Sequence, residues 1–188
     1  DENLETPKLL DFKKLEGKLD DFLIKGPNVY TFIEKLSFLD HRGLQMEQLT
    51  ANFTYTKSNI LLQNLDAYTK ESEIKGIVEL RYKREDFSDF NNKVIFDVNL
   101  EKASIASNDL NYFYEEFGKD NLFYVNTHLI GTLNNFTTQN LKLIDKNQSE
   151  IIGNITFKNI FHKQKSFYIK GKLDRVSSNY KNLRAILP

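Results

Sequence analysis

Apolar and polar residues alternate with a period of two along most of the chain. Gly, Asn, Asp or Ser breaks the alternation about every eight to twelve residues, the pattern of half-buried strands joined by turns. The clearest strand is Lys93 to Glu101, with Val94, Phe96, Val98 and Leu100 on one face and Asp97, Asn99 and Glu101 on the other; Ile95 is the exception. Ile74 to Tyr82 sets Ile74, Gly76, Val78, Leu80 and Tyr82 against Lys75, Glu79 and Arg81, with Ile77 out of place. Similar alternation runs through Leu49/Ala51/Phe53/Tyr55, Phe123/Val125/Leu129/Leu133, Leu141/Leu143, Ile155/Phe157 and Phe167/Ile169/Leu173. These segments predict an all-β, mostly antiparallel fold.

One segment carries the helical period instead. Leu110, Phe113, Tyr114 and Phe117 stand at i, i+3, i+4 and i+7, with Asn108 and Asp109 before them and Gly118 after, which predicts one short helix over Asp109 to Phe117. Phe32, Leu36 and Leu39 are also helically spaced, but the run of β-branched and aromatic residues from Val29 makes Val29 to Leu39 a strand. Proline occurs only at positions 7, 27 and 188, so a continuous sheet is feasible from about residue 44 onward. Residues 1–14 read as an irregular or linker stretch ahead of it. A loose repeat, Gly-x-Leu-Asx-x-apolar, starts at Gly17, Gly131 and Gly171, where glycine permits a close approach or bulge and the Asx residue a turn. Its spacing is irregular, so no fixed-period solenoid follows.

Composition narrows the function classes. Lys plus Arg and Asp plus Glu both number 26 in 188 residues, so no net field favours nucleic acid or an anionic surface. The absence of cysteine removes disulfides, thiol chemistry and thiolate-bound zinc and leaves the compartment open. The acidic opening Asp1-Glu2-Asn3 and the ending at Pro188 read as a piece of a longer chain. His41, His128 and His162 lack the spacing of a metal site, and neither a nucleophile elbow nor a phosphate-binding glycine loop occurs. The densest basic cluster, Arg81-Tyr82-Lys83-Arg84, is flanked by Glu79, Glu85 and Asp86 and reads as a solvated strand end. The expectation is a non-enzymatic protein that needs no cofactor or metal and binds no nucleic acid.

The run Leu36 to Leu49 (LSFLDHRGLQMEQL), with Phe53-Thr54-Tyr55-Thr56 and Leu61-Leu62-Gln63-Asn64-Leu65, resembles the large TamB proteins of the Bacteroidetes type. In the second half the same resemblance is carried by Tyr112 to Phe117, Leu129 to Phe136, Gln139 to Leu143, Ile152 to Ile155 and Ile186-Leu187-Pro188. TamB and its AsmA-like relatives imply an elongated, U-shaped β-groove, the β-taco form, anchored in the inner membrane and spanning the periplasm toward a TamA-like, BamA-related outer-membrane partner. The implied roles are phospholipid transport and outer-membrane protein assembly. No catalytic residues come with the family. By the resemblance, residues 1–188 would form one periplasmic segment of the groove, with the membrane anchor and the partner-binding region outside this chain.

In such a groove the apolar alternation would face phospholipid acyl chains. The candidate lining residues are Val78, Leu80, Val94, Phe96, Val98, Leu100, Leu129, Leu133, Leu141, Leu143, Ile155, Phe157, Phe167 and Ile169. Two other readings stand beside it: a scaffold or chaperone that pairs its sheet edge with outer-membrane protein strands, and a structural β-module whose apolar faces meet in a closed core. Without the resemblance, alternation alone favours the closed core.

Overall fold

A computed structural model of the chain describes residues 12–113, 118–160 and 165–178. Ten strands form one sheet: β1 (Phe12–Lys25), β2 (Asn28–Asp40), β3 (Gln45–Tyr55), β4 (Asn59–Tyr68), β5 (Glu73–Arg81), β6 (Ile95–Ala106), β7 (Leu122–Gly131), β8 (Asn135–Asp145), β9 (Glu150–Lys158) and β10 (Tyr168–Ser177). Their order in the sheet is their order in the chain, and each pairs antiparallel with the next. Among the described residues β1 and β10 have no further strand beside them, so the sheet is open and elongated rather than closed into a barrel. Nine inter-strand steps of about 4.8 Å give a length of roughly 43 Å. The stretch Val29 to Leu39 is indeed a strand, β2, because its branched and aromatic residues fill both faces of a pleated surface. β1 begins at Phe12, inside the stretch read as irregular from sequence.

All nine pairings are interrupted near mid-strand, and the interruptions lie side by side. The register shifts at Asp20/Leu23 in β1, Ile33/Leu36 in β2, Thr50/Asn52 in β3, Leu62/Leu65 in β4, and Lys75/Gly76 in β5. The line continues through Leu100/Ala103, Asn126/His128, Thr138/Leu141 and Leu173/Arg175. A β-bulge bends its strand and sharpens the local twist; bulges in every strand at neighbouring positions fold the sheet lengthwise into a trough. Asp21, Asn64 and Asn140 take positive φ on this line, as short polar side chains that bond locally do best. At Gly76 and Gly153 the reason is space. A Cβ at Gly76 would lie 1.9 Å from the Asn99 carbonyl oxygen, and one at Gly153 2.3 Å from that of Lys172.

The Gly-x-Leu-Asx repeat divides along these lines. Gly17 and Gly171 lie within the two edge strands, each followed by a bulge at Asp20-Asp21 or Asp174, whereas Gly131 ends β7 and opens a hairpin turn closed by Thr132 and Asn135.

Among the described residues helical structure is confined to the two connections that flank β6. A 3₁₀ segment (Arg84–Asp89) leads directly into α1 (Phe90–Lys93) between β5 and β6. The short helix expected from the stripe is α2 (Ser107–Leu110), starting two residues earlier than the stripe indicates. Asn111 to Phe113 extend it by tighter turns, the Phe113 N–H donating to the Leu110 carbonyl at 2.8 Å. Residues 114–117, the rest of the expected helix, lie outside the described residues. The early start follows from Ser107, fully buried, whose N–H donates to the Asn121 carbonyl at 2.9 Å while its hydroxyl accepts the Asn121 N–H at 3.0 Å.

The α2 connection straps one end of the sheet. Asp109 accepts the hydroxyls of Thr69 and Ser72 from the β4–β5 turn, both at 2.5 Å, and the Arg42 guanidinium of the β2–β3 turn lies 4.9 Å from the Phe113 ring centre. Two charge-assisted bonds concentrate the strap's attachment on one carboxylate. Asp109→Ala should therefore lower stability by about 1–3 kcal/mol. A urea midpoint that does not move would show that the strap is held elsewhere.

Candidate functional site

Register assigns each side chain to a face, because residues paired directly across strands lie on the same side. One row crosses the whole sheet: Ile24, Val29, Tyr55, Ile60, Leu80, Phe96, Gly131, Phe136, Phe157 and Ile169. A parallel row runs Thr31, Phe53, Leu62, Val78, Val98, Leu129, Thr138 and Ile155. Beyond the fold line the same face carries Leu36, Leu49, Ala67, Ile74, Ala103, Val125, Leu143, Ile151 and Val176.

The most buried positions of the sheet cluster where this face folds. Ile33, Ala51, Leu65 and Leu141 are at most 6% exposed, and Thr31, Thr127 and Thr138 are buried beside them. Ala51, Leu65 and Ala67 form a cluster with Met46, Leu49, Leu62, Ile74 and Val78 packed against it. The apolar face is therefore the inside of the fold, with a buried floor along the bulges and half-exposed walls on either side. Small residues and threonines alternate on that floor with the larger Ile33, Leu65 and Leu141. Thr127 and Thr138 satisfy their hydroxyls on backbone carbonyls, of Gln139 at 2.9 Å and Ile155 at 3.2 Å, so their burial leaves no polar group unpaired.

The opposite face is polar. Its row Thr54, Leu61, Glu79, Asp97, Ile130, Thr137, Thr156 and Lys170 is mostly hydrophilic, and it holds the ion pairs of the sheet. Lys75 reaches Asp66 and Glu73, each at 3.0 Å; Arg81 and His128 both bond Asp97, at 2.8 and 2.7 Å. Asp97 is thus a shared acceptor on the outer surface rather than an idle solvated charge. Ile77 and Ile95, the exceptions to alternation, pair with Asn99 and Arg81 on this outer face.

Eleven of the candidate lining residues share the apolar face: Val78, Leu80, Phe96, Val98, Leu100, Leu129, Leu141, Leu143, Ile155, Phe157 and Ile169. Three sit elsewhere. Val94 precedes β6 and is fully buried at the end of α1, its N–H donating to the Phe90 carbonyl at 3.2 Å. Leu133 lies in the β7–β8 turn, and Phe167, 54% exposed, lies just ahead of β10. Alternation identified these three as strand positions because it gives a face but not the point where pairing stops.

The residues that sequence reading passed over are Phe87 and Phe90. They stand at i and i+3 with Val94 at i+7, a helical stripe obscured by the adjacent basic cluster. That cluster is dispersed in space: Arg81 pairs with Asp97, Tyr82 is buried, and Lys83 donates its backbone N–H to Asp86 at 2.7 Å. Tyr82, Phe87, Phe90 and Phe96 form an aromatic ladder, with centroid separations of 4.7, 6.1 and 5.8 Å. It links the end of β5 to the trough wall at β6. Burial, and next the neighbouring Tyr55, raise the Tyr82 phenol above its ordinary pKa. The phenol stays protonated and donates to the Thr56 carbonyl at 3.1 Å.

Among the described residues no group of three or more His, Asp or Glu is placed to hold a metal ion, and no helix is long and apolar enough to cross a membrane. The arrangement offers an open trough, apolar inside and charged outside. Comparison of the chain with models of known families, with curated proteins and with solved structures finds no match.

Proposed function

We propose that the chain is a non-enzymatic, lipid-conducting segment of a TamB-like, AsmA-related protein of the periplasm, working between inner and outer membranes. The observation that carries this reading is the apolar row from Ile24 to Ile169, continuous over all ten strands on the inner face of an open sheet. An acyl chain in water costs about 0.8 kcal/mol per methylene, so some fifteen methylenes cost roughly 12 kcal/mol. A trough that lies half-open along its length removes most of that cost while leaving the polar head in water. The lipid then slides instead of being bound at one point. The TamA-like outer-membrane partner is engaged through parts of the full-length protein outside this chain.

A second reading has its own observation. Among the described residues both edge strands have one side without a partner strand and expose apolar side chains: Leu15, Phe22, Leu23 and Ile24 on β1 are 54–61% exposed, and Ile169 and Val176 on β10 are 53% and 59%. Such edges invite another strand. They suit either continuation of the same trough or the holding of outer-membrane protein strands during assembly.

Organic extraction and mass spectrometry of the chain purified from cell envelopes separates the two. Conduction predicts co-purifying phospholipid that is lost when the wall residues Leu80 and Val98 are changed to aspartate. Lipid-free protein that instead captures unfolded outer-membrane strands supports the scaffold.

A further inference from the structure

Three successive loop ends meet at the rim of the trough where β5 ends. Pro27 comes from the β1–β2 turn, Tyr55 and Lys57 from the end of β3 and its turn, and Tyr82, Arg84 and Phe87 from the connection after β5. Together they line a cavity of about 640 Å³, within the roughly 300–1,000 Å³ of small-molecule sites. Lys57 and Arg84 are the only charged lining residues, both are cations, and neither forms an ion pair among the described residues. The remaining lining is proline and aromatic. Two unpaired cations against an apolar wall suit a ligand with an anionic end and a greasy one.

The cavity adjoins the trough through shared residues. Tyr55 belongs both to the cavity and to the apolar row, where it pairs with Ile60, and Ile60 with Leu80. The aromatic ladder from Tyr82 through Phe87 and Phe90 to Phe96 runs from the same cavity to the trough wall.

We propose that this cavity is a head-group site for an anionic amphiphile: Lys57 and Arg84 neutralise the head, and the acyl chain lies on Tyr55, Ile60 and Leu80. The proposal rests on the lipid reading above and adds to it a preference by charge. A trough alone takes any acyl chain; this site holds anionic phospholipids longer than zwitterionic or uncharged ones.

The test is calorimetric titration of the full chain with dihexanoyl phosphatidylglycerol below its micelle concentration, with uncharged dihexanoylglycerol, and with inorganic phosphate. Phosphatidylglycerol should bind at least about tenfold more tightly than dihexanoylglycerol. The double variant Lys57→Gln/Arg84→Gln should lose that margin, leaving dihexanoylglycerol binding and the melting midpoint unchanged. Equal binding of the two lipids, unaffected by the double variant, overturns the head-group site and leaves the trough standing. Inorganic phosphate binding as tightly as phosphatidylglycerol makes the site one for a free anion and also overturns the proposal. If neither lipid binds the unaltered chain, the trough reading falls with it.

Discussion

Gly76→Ala should reduce stability by at least about 3 kcal/mol or prevent folding, the largest effect expected of any single methyl in this chain. The added Cβ would stand 1.9 Å from the Asn99 carbonyl oxygen and 3.0 Å from its carbon, both main-chain atoms of the neighbouring strand. A flexible side chain would swing aside, but backbone in the middle of a ladder moves only by breaking its hydrogen bonds. Two other glycines calibrate the measurement. Gly26, with φ +60° and nothing within 4 Å of an added Cβ, should cost about 1 kcal/mol on change to alanine, from left-handed strain alone. Gly171 meets its neighbours at 3.5 Å or more with ordinary φ, and Gly171→Ala should be neutral or stabilising by up to about 1 kcal/mol. Denaturant midpoints for the three variants decide the matter. An unmoved midpoint for Gly76→Ala would mean that β5 and β6 do not approach across the fold line, and the trough would lose its bend.

A carboxylate placed on the floor of the trough and one placed on its wall should behave differently. Ala51 is fully buried at the fold, so Ala51→Asp buries an unpaired charge and should cost several kcal/mol. Val98 and Phe96 are half-exposed on the wall, and a carboxylate there keeps access to water. Val98→Asp should cost about 1–2 kcal/mol, and Phe96→Asp somewhat more because its ring also meets that of Phe90. Both wall variants should nevertheless abolish photo-crosslinking of lipid from neighbouring trough positions in cells, since a charge on the path raises the cost of passage. Asn99, exposed on the outer face, serves as the neutral control; Asp97 does not, because it bonds both Arg81 and His128. A collapsed midpoint for Phe96→Asp, together with no lipid adduct from position 96 in the parent chain, would falsify the conduit reading for this segment.

The sequence by itself marked eight of the ten strands, leaving β1 and β4 unassigned, and the apolar side of those eight, because period-two alternation is a local property that any pairing in the correct register must respect. Eleven of the candidate lining residues share a face for this reason. Local pattern also placed a helix near Asp109, although the buried Ser107 moved its start upstream. Val94, Leu133 and Phe167 went astray at strand ends, where alternation continues past the last paired residue. The Phe87–Phe90 segment escaped notice because two helical turns are too short to outweigh neighbouring charge. Whether the apolar faces meet each other or line an open trough was decided only by tertiary structure. Closure depends on the twist and bend accumulated over nine pairings, and on whether β1 reaches β10; no single strand encodes either. The fold line arises in the same way, from bulges near Asp21, Asn64, Gly76, Asn140 and Gly153 that bend the sheet together only because register brings them side by side. The rim cavity needs three hairpins, 57 residues apart from Pro27 to Arg84, to end at the same place, a proximity that strand pairing creates and chain order does not reveal.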